Sequence, residues 1–216
     1  MTTLNYPTPT CPNSGFTAGI KIIAGALKKA AMYHSQANPT ELLALFKAIL
    51  TTPGKIVVEV GSATGGTTVL LIKASNLVGK SVISIDPYPE SIEGAVGYPT
   101  GTVSFFRQGF KENILDNGYK NITQINETTE DCIGQIPDNL SVVFIDGFHE
   151  YESVKREYEL LFPKVTDDGL MFIHDVNWKI GQKSNSLQGG VANIKELFPN
   201  ADYIGNNMLC IKKQTK

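Results

Sequence analysis

The sequence predicts an α/β protein: a doubly wound, mostly parallel sheet of seven strands, closed by an antiparallel C-terminal hairpin and preceded by helices. Three observations predict it. Short apolar runs at residues 56–60, 81–85, 122–125, 141–145 and 169–173 alternate with helix-like segments. Runs of that kind suit strands buried on both faces of a parallel sheet. The first run ends at Glu59-Val60 and passes into Gly61-Ser62-Ala63-Thr64-Gly65-Gly66 and then a helical pattern. That strand, tight loop and helix start is the layout with which open α/β sheets hold a nucleotide-like ligand. Finally, Gly205-Asn206-Asn207 separates two short strand patterns, 202–204 and 208–212, and reads as a hairpin turn.

The elements follow in order. Residues 16–34 have a helical period, with Ile20, Ile23, Ala24, Leu27 and Ala31 on one face. Asn38-Pro39-Thr40-Glu41 is a helix start: proline fits the first turn, and Glu41 lies three after Asn38 as a capping box requires. That helix carries Leu42, Leu43, Leu45 and Phe46 and stops before Thr52-Pro53-Gly54. Between the strands, helices are expected over 67–77, 104–117, 130–135 and 150–161, with another near 191–198. Tyr151, Val154, Tyr158 and Leu161 recur at helical spacing and are expected in the core.

Length and composition bound the function. With 216 residues the chain suits one domain with a short appendage, here an N-terminal extension over 1–52 and a ligand-binding domain over 53–216. The net charge of −2 comes with no basic tract, so nucleic acid is not an expected partner. The polar, proline-rich start lacks the pattern of a signal peptide, and the apolar stretches fall short of a membrane span. A cytoplasmic protein without a membrane partner is expected. Cys11, Cys132 and Cys210 are widely spaced and form neither a disulfide framework nor a zinc motif.

The loop discriminates among ligands. Ala63 stands where a dinucleotide fingerprint has its second glycine, which lets backbone approach a pyrophosphate. Glu59 beside the loop would repel a diphosphate; a carboxylate there is better matched to an amine or hydroxyl. Asp86 ends the second strand, where it can accept hydrogen bonds from ribose hydroxyls. With these residues in this order, the chain resembles the class I S-adenosylmethionine-dependent methyltransferases, whose Rossmann-like sheet also ends in a reversed strand. The resemblance runs from about Pro53 to the C-terminus. It implies that Glu59 and the backbone of Gly61, Ser62, Ala63, Gly65, Gly66 and Thr67 hold the amino-acid end of S-adenosylmethionine. It implies that Asp86 holds the ribose with Tyr88 near the sugar or adenine, and that Thr128 takes the position near the adenine amine.

Two further segments end strands at the sheet's carboxyl edge: Asp146-Gly147-Phe148-His149, and His174-Asp175-Val176-Asn177-Trp178. Methyl transfer to oxygen needs the acceptor hydroxyl to lose a proton. An imidazole with a pKa around 6.5 is a suitable base, and His149 is the candidate, with Asp146 beside it. Asp146, Asp175 and Asn177 could together hold a divalent ion, Mg2+ or another, that lowers a hydroxyl pKa. The Asp-Gly-x-His pattern resembles a subgroup that modifies sugars and natural products. In the metal-dependent catechol-type enzymes a lysine stands where His149 does, and an Asp-Asn pair where Asp175-Val176 does. The resemblance implies a small-molecule or sugar acceptor. It also implies that the N-terminal helices cover the site or make a homodimer. Simpler readings stand beside these. His149 would cap a helix, His174 would be a hydrogen-bonded core residue, Asp175 would cap a turn, and Trp178 would be structural. A nicotinamide-dependent oxidoreductase, or a non-catalytic cofactor-binding protein of the same fold, remain as alternatives.

Overall fold

The computed structural model describes residues 13–89, 100–176, 198–199, 201–205 and 207–215, with side chains from residue 21. The helices are α1 (Asn13–Met32), α2 (Pro39–Thr51), α3 (Gly66–Leu77), α4 (Thr102–Phe110), α5 (Thr129–Cys132) and α6 (Tyr151–Leu161). The strands are β1 (Ile56–Val60), β2 (Ser81–Ile85), β3 (Ile122–Ile125), β4 (Leu140–Ile145), β5 (Val165–Ile173), β6 (Asp202–Ile204) and β7 (Met208–Lys212). They form one sheet in the order β3-β2-β1-β4-β5-β7-β6. β7 runs antiparallel to both of its neighbours, and the other pairings are parallel. The expected architecture is therefore the observed one. Strand order reverses between β1 and β4, which opens a ligand crevice at their carboxyl ends.

One face of the sheet packs on α1 to α4 in a core that includes Phe46, Leu70, Phe110, Phe144 and Phe172. The other packs on α5 and α6 through Val143, Ile145, Val154 and Leu161. Tyr151 and Tyr158 lie partly buried against that second core, as their spacing predicted. The α2 start forms the expected capping box: Asn38 Oδ1 accepts from the amides of Thr40 and Glu41, and Glu41 Oε2 accepts from the Asn38 amide at 2.8 Å. Its end is held by Lys80. The buried ammonium donates to the carbonyls of Ile49 and Thr52 at 2.7 Å each, and to Ser141 Oγ. Those helix C-terminal carbonyls carry the negative end of the dipole, which suits a cation.

Three expectations need correction. The buried face of α1 is Ile23, Ala26, Leu27 and Ala30, whereas Ala24 and Ala31 are exposed. Alanine gives a weak hydrophobic signal, and small residues were needed where α1 closes on its neighbours. The helix expected at 104–117 is α4 followed by a π-helical turn, Lys111–Leu115. The strand expected at 169–173 begins at Val165, and its pairing with β4 is irregular between Leu140 and Val142. Most of the segment expected as a helix near 191–198, and Asn177 and Trp178, lie outside the described residues. Among the described residues, no helix is long and apolar enough to cross a membrane.

Candidate active site

The parallel register builds the site. Val60 pairs with Ile85 and with Ile145, and Ile145 with Ile173. Each ladder runs one residue further: Gly61 donates its amide to the Ile85 carbonyl, Asp146 to Val60, His174 to Ile145, and Asp86 to Ile125. Gly61, Asp86, Asp146 and His174 therefore stand level along the carboxyl edge.

Around the β1 loop, backbone groups do most of the holding. Asp86 Oδ2 accepts from the amides of Ser62 and Ala63 at 2.9 and 3.0 Å, and Oδ1 accepts from the Tyr88 amide at 3.0 Å. Ser62 Oγ adds a longer bond to Oδ2 at 3.5 Å, so Oδ2 is filled and about one lone pair of Oδ1 is left for a ligand hydroxyl. The Tyr88 ring is buried, with its hydroxyl on the Ala63 carbonyl and Ser62 Oγ, so it braces the loop from beneath. Gly61 is obligatory for packing: at φ +84°, a Cβ there would lie 2.2 Å from the Asp146 carbonyl oxygen. Gly66 has the same constraint from another side, where a Cβ would lie 2.3 Å from the Ser35 amide nitrogen. Ser35 also hydrogen-bonds Thr67, and Thr64 donates to the Tyr33 carbonyl. The turn between α1 and α2 therefore clamps the loop. Thr128 caps α5, accepting from the Asp131 amide.

Glu59 is fully buried. Its Oε2 accepts from Thr68 and Ser84, while Oε1 has no hydrogen-bond partner among the described residues. Burial pushes its carboxyl up to about 8, against the opposing pull of those hydroxyls and with help from Asp146 and Asp86. A buried carboxyl with one oxygen unmatched fits a ligand that brings an N–H or a positive charge.

At β4 and β5 the residues form an acid–imidazole cluster. His174 Nδ1 lies 3.0 Å from Asp146 Oδ1 and 3.4 Å from Asp175 Oδ1, and its Nε2 lies 3.2 Å from Glu41 Oε2. His149 Nε2 lies 3.2 Å from Asp175 Oδ2, so this histidine faces the cluster. The N-cap of α6 is Glu150, without a side-chain cap bond. Asn207, from the β6–β7 turn, donates to Asp175. Burial alone would lower His174, but Asp146 and Asp175 outweigh it and raise the imidazole to about 11. It is therefore an imidazolium at neutral pH and not a base. Burial raises Asp175, but His174, His149 and Asn207 together hold it below the usual carboxylate range. Ligand atoms of Asp146, His149 and Asp175 all lie within 4.8 Å of one another. Two carboxylates with an imidazole are a donor set that fits a divalent ion.

The sequence from residue 58 to 176, more than half of the chain, matches the family described as "Methyltransferase domain". The chain belongs to that methyltransferase family. No curated protein matches it significantly. Solved structures share its fold. A Corynebacterium glutamicum protein is 14% identical, with a TM-score of 0.63 and 91% of each chain covered. The O-methyltransferase TomG from Streptomyces achromogenes, involved in tomaymycin synthesis and solved with S-adenosylmethionine, is 12% identical. Its TM-score is 0.59, with 87% of this chain and 89% of that one covered. An O-methyltransferase from Bacillus cereus, solved with S-adenosylhomocysteine, is 14% identical, with a TM-score of 0.56 and coverage of 94% and 93%.

In this methyltransferase the structure brings Asp146, His149 and Asp175 together, and places Glu59, Asp86 and the glycine loop beside them. Two cluster members escaped the sequence reading. Glu41 had a sufficient explanation as a helix cap. Asn207 sat in a turn that explained itself.

Proposed function

We propose that this methyltransferase moves a methyl group from S-adenosylmethionine to a hydroxyl of a small molecule or sugar. The observation that carries the reading is the pairing of two sites on one sheet edge. One is a glycine loop flanked by a buried acid with an unmatched oxygen; the other is an acid–imidazole cluster one strand away. When bound, S-adenosylmethionine supplies an electrophilic methyl group on a sulfonium. Glu59 and the backbone from Gly61 to Thr67 hold its amino-acid end. Asp86 takes a ribose hydroxyl, Tyr88 keeps the loop in place, and Thr128 lies toward the adenine. The bound cofactors of TomG and of the Bacillus cereus enzyme support this assignment.

At the cluster, His149 accepts the proton of the acceptor hydroxyl. Asp175 orients the ring and stabilises the imidazolium that forms. Asp146 sits beside them, tied to His174. A second reading has its own observation, the close convergence of Asp146, His149 and Asp175. There His149 is a ligand to a divalent ion, with Asn177 as a further candidate, and the ion lowers the hydroxyl pKa.

Titration calorimetry with S-adenosylhomocysteine tests the cofactor assignment, and an absence of binding at millimolar ligand ends it. An acceptor screen with a labelled methyl donor then tests transfer. Mn2+ titration separates the two roles of His149. If it is the base, His149→Ala abolishes transfer and leaves Mn2+ affinity unchanged; if it is a ligand, the affinity falls. Full transfer after exhaustive EDTA treatment rules out an essential ion.

A further inference from the structure

We infer that Glu41, delivered by the first turn of α2, is a positioning residue of this site: its Oε2, 3.2 Å from His174 Nε2, fixes the imidazole so that Nδ1 meets Asp146 and Asp175. The inference rests on the functional reading above and adds to it a residue from outside the nucleotide-binding core.

Helix capping does not account for Glu41. The capping box uses one oxygen, Oε2, toward the Asn38 amide, and an exposed glutamate would serve as well. Here the side chain is 1% exposed and Oε1 is buried without a hydrogen-bond partner among the described residues. A buried carboxyl needs a polar partner set against it, and the equally buried His174 ring, with Nε2 at 3.2 Å, is the partner set against this one. The imidazole has only two polar edges. With Nε2 committed to Glu41, Nδ1 points to the two aspartates; a flipped ring would offer them carbon atoms.

The β6–β7 turn supplies an independent observation. A Cβ on Gly205 would lie 3.0 Å from Glu41 Oε1, so the turn closes directly over this carboxylate at φ +59°. Two residues later, Asn207 donates to Asp175 and accepts from the Val176 amide. One turn thus seals Glu41 at one end of the cluster and holds Asp175 at the other. Outer partners of this kind set the orientation of the groups that meet a substrate or ion. Through them α2 becomes part of the active site.

The test uses the full chain labelled with 15N-histidine. With three histidines in the sequence, His34→Gln and His149→Gln variants assign the ring signals. The wild type is expected to show two slowly exchanging ring N–H protons for His174. Glu41→Gln keeps the side-chain length and the Asn38 bond but removes the charge. The oxygen that meets Asn38 also meets Nε2, so a neutral, weaker acceptor is expected to speed Nε2–H exchange and to shift the His149 ring resonances, because the loosened His174 releases Asp175. In a His174→Asn background, Glu41→Gln is expected to leave His149 unmoved. The inference is overturned if folded Glu41→Gln leaves His149 where it was, or if the shift survives in the His174→Asn background. Should Glu41→Gln not fold, Glu41→Asp keeps the charge and withdraws it by one methylene; a smaller shift of both histidines is expected, and no shift overturns the inference. Cofactor titration of the wild type is read separately, so failure of the methyltransferase reading and failure of the Glu41 lock appear in different experiments.

Discussion

The glycine loop and the acid–imidazole cluster stand side by side on one sheet edge, yet they are built differently. The loop is made from neighbours in sequence, residues 59–68 with Asp86 and Tyr88, and most of its polar bonds involve backbone amides and carbonyls. The cluster is made from distant segments: Glu41 and His174 are 133 positions apart. Its side chains meet one another chiefly as carboxyl–imidazole pairs, with a backbone bond from the Asn38 amide to Glu41. The loop is therefore sensitive to added volume, and the cluster to lost charge.

The largest expected effect breaks both regions together. Gly61→Ala forces a Cβ against the Asp146 carbonyl at positive φ, and backbone cannot give way as a side chain can. We expect a loss of roughly 4 kcal/mol or more, or no folded protein. Gly65→Ala, which meets the Ile114 side chain and not backbone, should cost less, about 1–2 kcal/mol. Denaturant midpoints for the two variants check the contrast.

His174→Asn should damage the cluster alone, by roughly 3 kcal/mol, because the buried Glu41 and the partly buried Asp146 and Asp175 lose the ring set between them. The sign with pH follows from a folded value of about 11 against an ordinary 6.5. The contribution of His174 is complete below pH 6.5 and fades as pH rises through 11. Wild-type and variant stabilities should converge toward alkaline pH.

Asp86→Asn should act on the loop alone. An amide keeps one acceptor oxygen where the carboxylate gave two, so an expected loss of about 1–2 kcal/mol comes with weaker binding of S-adenosylhomocysteine. Equal weakening in His174→Asn would show that the two regions are not separable.

The smallest effect joins them through a proton. Glu59 carries its proton up to about pH 8. Its contribution to stability is complete below the ordinary 4.5 and is lost as pH rises through 8. Glu59→Gln should flatten that slope. Binding a cationic cofactor should lower the Glu59 pKa and release close to one proton at pH 7, read as a buffer-dependent enthalpy in calorimetry.

Much of this was legible in the linear sequence because strand patterns and glycine turns are local. The strands, the C-terminal hairpin and the loop followed from apolar runs and turn residues, and the edge residues followed from lying one position past each strand; the order of the strands came from the structure. The α1 face was misread because alanines weigh too little to settle a helix rotation; contact with α3 settled it.

The residues of the sheet edge, Glu59, Gly61, Asp86, Asp146 and His174, were readable along the chain, because each lies at or just past the end of a locally patterned strand. What those groups do to one another came from the packing of distant segments. It set His174 among three carboxyl groups, turned His149 toward Asp175, drew Asn207 onto Asp175, and placed the capping Glu41 against the His174 ring as well. Burial and the nearness of other charges set protonation and orientation, and neither is a property of a residue's neighbours in sequence.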